Sequence, residues 1–234
     1  MSKTFILIML FFIVIALILL IDLVIFIEPT SKLSNVLISN LTDKQATVSW
    51  TTDKTTRGTI LISDNNRFPP VVIFAQKANK YEESSALQGF LSVHSITLTD
   101  LKPNTLYNYR IYQGIRAVYQ DNFQTGPTLD QILTPHPVYG KVKDTKSNPV
   151  TGAIIYLQLF SPEGTQSALL STLSNREGGW SIDLANARST DLQESFTLDE
   201  KTREEIMVER GKGGRIKEST PSGKDQPWPD VILR

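Results

Sequence analysis

The chain has 234 residues, in which 24 Lys and Arg balance 24 Asp and Glu, so its net charge is zero at neutral pH. This balance argues against a nucleic-acid-binding protein, which needs a basic face. Because the chain has no cysteine, disulfides, thiolate zinc sites and cysteine nucleophiles are all excluded.

The first feature along the chain is an apolar run from Phe5 to Ile27, interrupted only by Asp22. A helix of this length covers roughly 34 Å, enough to cross a hydrocarbon core of about 30 Å. The favourable insertion of about twenty apolar residues outweighs one carboxylate near the end of the run. The run is too long for a signal peptide and lacks its cleavage site. We therefore predict a transmembrane signal anchor over residues 1–28, held in the lipid bilayer.

Asp22 has two interpretations: a carboxylate tolerated at the membrane interface, or a polar contact with a partner helix. Lys3 precedes the run and Lys32 follows it, so the positive-inside bias is too slight to orient the protein. The modules that follow favour a single-pass protein of a prokaryotic cell membrane, with a cytoplasmic N-terminus and the C-terminal bulk outside the cell.

The rest of the chain is rich in Thr, Ser, Val, Ile and Tyr, which alternate in short runs between turn residues. This pattern is typical of all-β proteins. The remaining length suffices for two domains of about 100 residues. We predict a first domain over residues 33–125, a Pro-rich linker over 126–137 and a second domain over 138–234.

Strands of the first domain are indicated by alternation. Ala46, Val48 and Trp50 alternate with Thr47 and Ser49, so the first three define one buried face. Further strands are predicted at residues 59–63, 71–75, 94–98, 107–111 and 118–124.

A spaced motif near the end of this domain carries a family resemblance. It consists of Leu101, Pro103, Thr105, Tyr107 and Tyr109. The motif resembles the tyrosine corner of fibronectin type III domains, in which a Tyr hydroxyl bonds to nearby backbone. Trp50 matches the buried core Trp of that family. With the closing DNFQTG, the domain is especially similar to the N-terminal sandwich of purple acid phosphatases.

That resemblance does not imply that this chain is an enzyme. Purple acid phosphatases hold two metals with several His residues in a separate downstream domain. This chain has only His94 and His136, and we interpret each as a surface or packing residue. We therefore predict no catalytic residue, no cofactor and no metal site.

The second domain carries a different pattern, Gly-x-Val, a turn with Pro, Gly-Ala-x-Ile-x-Leu and a later Asn-x-x-Gly-x-Trp. The residues are Gly140, Val142, Pro149, Gly152, Ala153, Ile155, Leu157, Asn175, Gly178 and Trp180. They resemble the carboxypeptidase regulatory-like domain, a transthyretin-like β-sandwich. The resemblance implies a structural or interaction module without catalytic residues of its own.

The charged C-terminal region leaves alternatives open. Residues 205–210 and 215–219 form a strand pair in one interpretation, which we favour, and residues 198–209 form a short helix in the other. Residues 231–233 are expected to add an edge strand. Trp228 lies between Pro227 and Pro229 and either anchors a partner or covers the base of the sandwich.

These elements predict an all-β protein with two tandem β-sandwiches, fibronectin type III-like and transthyretin-like, after one transmembrane helix. The expected function is a membrane-anchored cell-surface protein that displays non-catalytic modules for adhesion, scaffolding or envelope interactions. Sandwich edges and end loops offer binding surfaces for a protein or glycan partner without a reactive centre. The alternative is an accessory subunit that docks a separate hydrolase such as a metallophosphatase.

Overall fold

A computed structural model describes residues 5, 9–17, 31–64, 71–74, 91–130, 134–211 and 214–234. Within the apolar run, residues 9–17 are helical with exposed side chains. Over those described ranges, no helix is both long and apolar enough to cross a bilayer. Asp22 and most of the anchor predicted over residues 1–28 lie outside the described residues, so the anchor stays a prediction.

The first domain is a sandwich of two antiparallel sheets. One sheet has the order β1 (Leu33–Ser39), β2 (Ala46–Thr56), β5 (Leu91–Leu98). The other has the order β4 (Val71–Phe74), β3 (Thr59–Asp64), β6 (Leu106–Gln113), β7 (Arg116–Gln124). Because β2 and β3 follow each other but lie in different sheets, the chain crosses over between them, as in fibronectin type III-like sandwiches.

Inward-facing residues of both sheets fill the first core. Val48 and Trp50 from β2 meet Ile60, Tyr109 and Ile111 from the facing sheet, and all five are buried. The face predicted from the alternation around Trp50 is therefore confirmed. The strand β1 was not predicted, and it completes the sheet by pairing with β2.

The second domain is also a sandwich of a four-stranded and a three-stranded sheet. The larger sheet has the order β10 (Leu170–Leu173), β9 (Ile154–Phe160), β12 (Arg203–Glu209), β13 (Arg215–Pro221). The smaller has the order β11 (Gly179–Asp183), β8 (Pro137–Asp144), β14 (Val231–Leu233), in which β14 runs parallel to β8. The finer, transthyretin-like assignment stays a prediction.

The charged segment after residue 198 forms strands, so the helix interpretation is wrong. Glu204, Ile206 and Val208 are buried, while Arg203 and Glu205, which alternate with them, face outward. Because β12 pairs with β9 on one side and β13 on the other, it is a central strand. Its backbone hydrogen bonds on both edges outweigh the weak helical signal of its charged residues.

Candidate functional site at the junction of the two sandwiches

The strand β2 is buried on both faces, which the sequence did not predict. Its inward face carries Val48 and Trp50, but Thr47, Ser49 and Thr51 on the opposite face are each at most 5% exposed. Small hydroxyl residues on an outer sheet face normally remain solvated. They are buried here because the second sandwich packs against this face.

An apolar cluster lies at the centre of that contact. Val93 from β5 packs with Ile154 and Tyr156 from β9, and all three are buried. Leu37 of β1 and Met207 of β12 pack around them. Each sandwich therefore contributes one sheet face to this cluster, which forms a third, smaller hydrophobic core between the cores of the two sandwiches.

Buried polar groups in the contact are paired across it. The Tyr156 hydroxyl lies 2.8 Å from Ser49 Oγ, and burial raises the pKa of Tyr156 to about 12. Glu209 Oε1 accepts hydrogen bonds from Asn35 Nδ2 at 2.5 Å and from Thr51 Oγ1 at 3.4 Å. Arg215 donates to Glu209 Oε2 at 3.1 Å. A buried carboxylate is tolerated because these donors replace its water.

Asn40 connects the two sandwiches through the backbone of β10. Its side chain accepts a hydrogen bond from the Ser171 amide at 2.8 Å and donates to the Ser171 carbonyl at 3.0 Å. Its own amide donates to the Leu169 carbonyl at 2.8 Å. Asn40 adopts φ of 50°, a left-handed conformation that Asn tolerates better than most residues. The first sandwich thereby caps the edge strand of the second.

Arg188 fastens the linker to both sandwiches. It is 7% exposed and donates to the Pro127 carbonyl at 2.7 Å and to Asp43 Oδ1 at 2.9 Å. The other Asp43 oxygen accepts a hydrogen bond from Thr128 at 3.0 Å. The start of the predicted linker is therefore held by a buried ion pair.

A polar groove runs along the rim of the junction. Its larger part has a volume of about 500 Å³ and is lined by turn residues 42–45, loop residues 99–100, linker residues 128–129, Asn186 and Arg188. A smaller cavity of about 150 Å³ lies next to it and shares Thr42, Gln45 and Asn186 as lining. Both sandwiches and the linker thus contribute to the lining of the groove.

Of the two tyrosines in the predicted tyrosine corner, Tyr107 is the one whose hydroxyl bonds to nearby backbone. The Lys102 amide donates to the Tyr107 hydroxyl at 2.9 Å, bonding the ring to the loop before β6. Leu101 packs against the core, and the Thr105 hydroxyl donates to the Pro103 carbonyl at 2.8 Å. Tyr107 and Tyr109 both lie in the core, and burial raises the pKa of Tyr109.

Trp50 and His94 are packing residues of the first sandwich. Their rings stack with centroids 4.8 Å apart and planes inclined by 8°. Gly58 lies against this stack, since a Cβ there would be 2.4 Å from Trp50 Cζ2. No group of three or more His, Cys, Asp or Glu that could hold a metal ion occurs among the residues that the structure describes.

Trp228 is only 2% exposed, so it belongs to the second core instead of presenting a surface. Its ring centroid lies 6.1 Å from that of Trp180, and its Cβ lies 2.9 Å from a Cβ built on Gly140. Of the two interpretations of Trp228, covering the base of the sandwich agrees with this position. Asp22, the other predicted partner contact, lies outside the described residues.

An acid pair lies in the second core. Glu204 on the inward face of β12 and Asp225 in the loop before β14 are both buried. Neither Glu204 oxygen nor Asp225 Oδ2 has a hydrogen-bond partner in the described part of the chain. Burial, reinforced by the charge of Asp225, raises the pKa of Glu204 to about 8. With this pKa, the Glu204 carboxyl is mainly protonated at neutral pH.

Comparison with known families agrees with the first-domain resemblance. Residues 34–125 match the family model of the purple acid phosphatase N-terminal domain, which is the non-catalytic domain of those enzymes. The match spans less than half of the chain. Among curated proteins no sequence match is found.

Solved structures similar to this chain include multi-domain fibronectin proteins. The FN1–FN3 domains of chicken CNTN1 are 13% identical, with 88% of this chain and 67% of that chain covered and a TM-score of 0.30. A two-domain fibronectin type III segment of chicken tenascin is 9% identical, covering 82% and 100%, with a TM-score of 0.29. With TM-scores below 0.5, these likenesses add nothing to the strand order described above.

Proposed function

We propose that the chain is a membrane-tethered, non-catalytic binding protein that holds two β-sandwiches outside the cell as one rigid unit. The observation that supports this best is the junction, where Asn40, Arg188 and Glu209 make paired polar contacts around the apolar cluster. A fixed pair of sandwiches presents one continuous surface to a partner. Such a surface suits adhesion, scaffolding or envelope contacts, because binding loses less entropy when the surface is already ordered.

The tether in this proposal is the run from Phe5 to Ile27. The absence of cysteine makes the topology directly testable, since any introduced thiol is unique. In Lys146→Cys the thiol occupies an exposed turn of the second sandwich, and we expect a membrane-impermeant maleimide to label it on intact cells. Ser2→Cys is the matched control, expected to react only after lysis. Labelling of Lys146→Cys only after lysis would refute the extracellular orientation.

Docking of the sandwiches is testable by a disulfide across the junction. Ser39 Oγ and Ser171 Oγ lie 2.7 Å apart. The double variant Ser39→Cys/Ser171→Cys is therefore expected to form an intramolecular disulfide on exposure to air, with no other oxidant added. Pairing Ser39→Cys with Lys146→Cys is the control, and it should stay reduced. Equal oxidation of both pairs would show that the sandwiches move independently.

The second candidate function is an accessory subunit that docks a separate hydrolase, and the match of residues 34–125 to a phosphatase N-terminal domain favours it. In that case the solubilised full chain should copurify with a metallophosphatase in a stoichiometric complex. Recovery of the chain without any hydrolase, under conditions that preserve membrane complexes, would reject this alternative and leave the display function.

A further inference from the structure

We propose that the groove along the junction is a binding site for a neutral, hydroxyl-rich ligand, an oligosaccharide. This inference rests on the proposed binding function and names the ligand class. The site lies where binding sites are common, at the interface between two domains. The main volume of about 500 Å³ falls within the range of ligand sites, about 300–1,000 Å³.

Electrostatic balance of the groove excludes strongly charged ligands. The larger part is lined by Lys44 and Arg188 against Asp43 and Asp100, so the charges cancel there. The smaller cavity adds one carboxylate, Asp183, which accepts hydrogen bonds from the His136 and Ala185 amides. The Arg188 guanidinium and Asp43 are already paired with each other at 2.9 Å. A phosphate-rich or polyanionic ligand would need more cationic groups than carboxylates, and the lining has no such excess of positive charge. The groove therefore favours a ligand without net charge.

Two amide side chains, one from each sandwich, are free to contact such a ligand. Gln45 lies in the turn before β2 and is half-buried, and Asn186 follows β11 and is exposed. Both line the larger and the smaller cavity. Neither amide has a hydrogen-bond partner within the described ranges. Each offers both donors and an acceptor, which is the combination that sugar hydroxyls require.

The apolar part of the lining suits a sugar better than an extended peptide. Leu129 is half-buried at one wall of the groove, where it can contact the C–H face of a sugar ring. Peptide recognition would need side-chain pockets or an open strand edge. The edge of β10 at Ser171, which lines the groove, is already capped by the Asn40 side chain.

The test uses the full chain in lipid nanodiscs and isothermal titration with maltotriose, cellotriose and chitotriose, alongside the anionic trigalacturonate. We expect at least one neutral trisaccharide to bind and trigalacturonate not to bind. Gln45→Ala and Asn186→Ala should each weaken binding about three- to tenfold, since each loses one or two hydrogen bonds. Asn122→Ala, an exposed amide on β7, is the matched control and should leave affinity unchanged.

Three outcomes would overturn the proposal: no binding of any neutral trisaccharide, preferential binding of trigalacturonate, or binding that Gln45→Ala and Asn186→Ala leave unchanged. None of them bears on the display function, because that function is tested separately by maleimide labelling of Lys146→Cys. A chain that is labelled on intact cells but binds no trisaccharide would retain the proposed function and lose this site.

Discussion

The acid pair in the second core makes stability depend on pH in an unusual direction. Glu204 has a pKa raised from 4.5 to about 8 in the folded protein, so the folded state holds a proton that the unfolded state releases above pH 4.5. The contribution of Glu204 to the free energy of unfolding is therefore largest below pH 4.5. It decreases as the pH rises and no longer changes above about pH 8. A difference of roughly 3.5 pKa units corresponds to about 4–5 kcal/mol.

Glu204→Gln should remove this dependence. The amide keeps the shape of the protonated carboxyl, but it cannot ionise. We expect the variant to match the parent protein near pH 4.5 and to exceed it at pH 9 by several kcal/mol. The assay is thermal unfolding of the full chain in detergent micelles, followed by circular dichroism at pH 5, 7 and 9.

Glu205→Gln is the matched control, because Glu205 is the next residue on the same strand but faces outward beside Arg203. It should shift the melting temperature by a similar small amount at every pH. Equal changes in melting temperature for Glu204→Gln and Glu205→Gln at pH 9 would refute this reasoning. They would show that Glu204 ionises in the folded protein without loss of stability, and therefore that it is not buried beside Asp225.

Three further substitutions test the junction and the first core. Asn40→Ala should lower the free energy of unfolding by about 1–3 kcal/mol, because its hydrogen bonds to the Ser171 backbone are lost. Amide hydrogen exchange at β10 should accelerate, and unchanged exchange would contradict the role of Asn40 as a cap of this strand. Tyr107→Phe should lower stability by about 1 kcal/mol because a loop amide loses its acceptor, measured by thermal circular dichroism, whereas an unaffected melting temperature would remove the tyrosine corner from the fold. Gly58→Ala should cost about 1–3 kcal/mol by forcing a Cβ against Trp50, visible as altered near-ultraviolet circular dichroism, and a parent-like spectrum would mean that the stack tolerates the added methyl group.

Controls for these variants come from the same elements. Asn122→Ala removes an exposed amide from the first sandwich and should leave exchange at β10 unchanged. Tyr112→Phe removes a hydroxyl from the outer face of β6, three positions after the core residue Tyr109, and should change stability by less than about 0.5 kcal/mol.

Much of the first sandwich could be predicted because local patterns determine it. Alternation around Trp50 fixes which face of β2 is buried, since a one-residue shift would place polar side chains in the core. The spacing from Leu101 to Tyr109 likewise predicts the tyrosine corner, because its hydrogen bond spans only five residues, from Tyr107 to the Lys102 amide. Strand β1 escaped prediction because its burial pattern is only intermediate along most of its length.

The junction could not be read from the sequence, because its partners lie far apart along the chain. Asn40 and Ser171 are separated by 131 residues, and Arg188 and Asp43 by 145. Thr47 and Ser49 look like a solvated outer face, and only the packing of the second sandwich buries them. Trp228 reads as exposed between two prolines, yet the tertiary fold places it in the core beside Trp180.

The sequence by itself therefore determined the all-β class and the fibronectin type III-like character of the first sandwich, since periodicity and short-range spacing encode them. Only the tertiary structure decided how the sandwiches dock, that Glu204 meets Asp225 in the core, and where the groove with Gln45 and Asn186 lies. These features depend on contacts between distant segments, and hydrophobic alternation carries no information about which two sheet faces will meet.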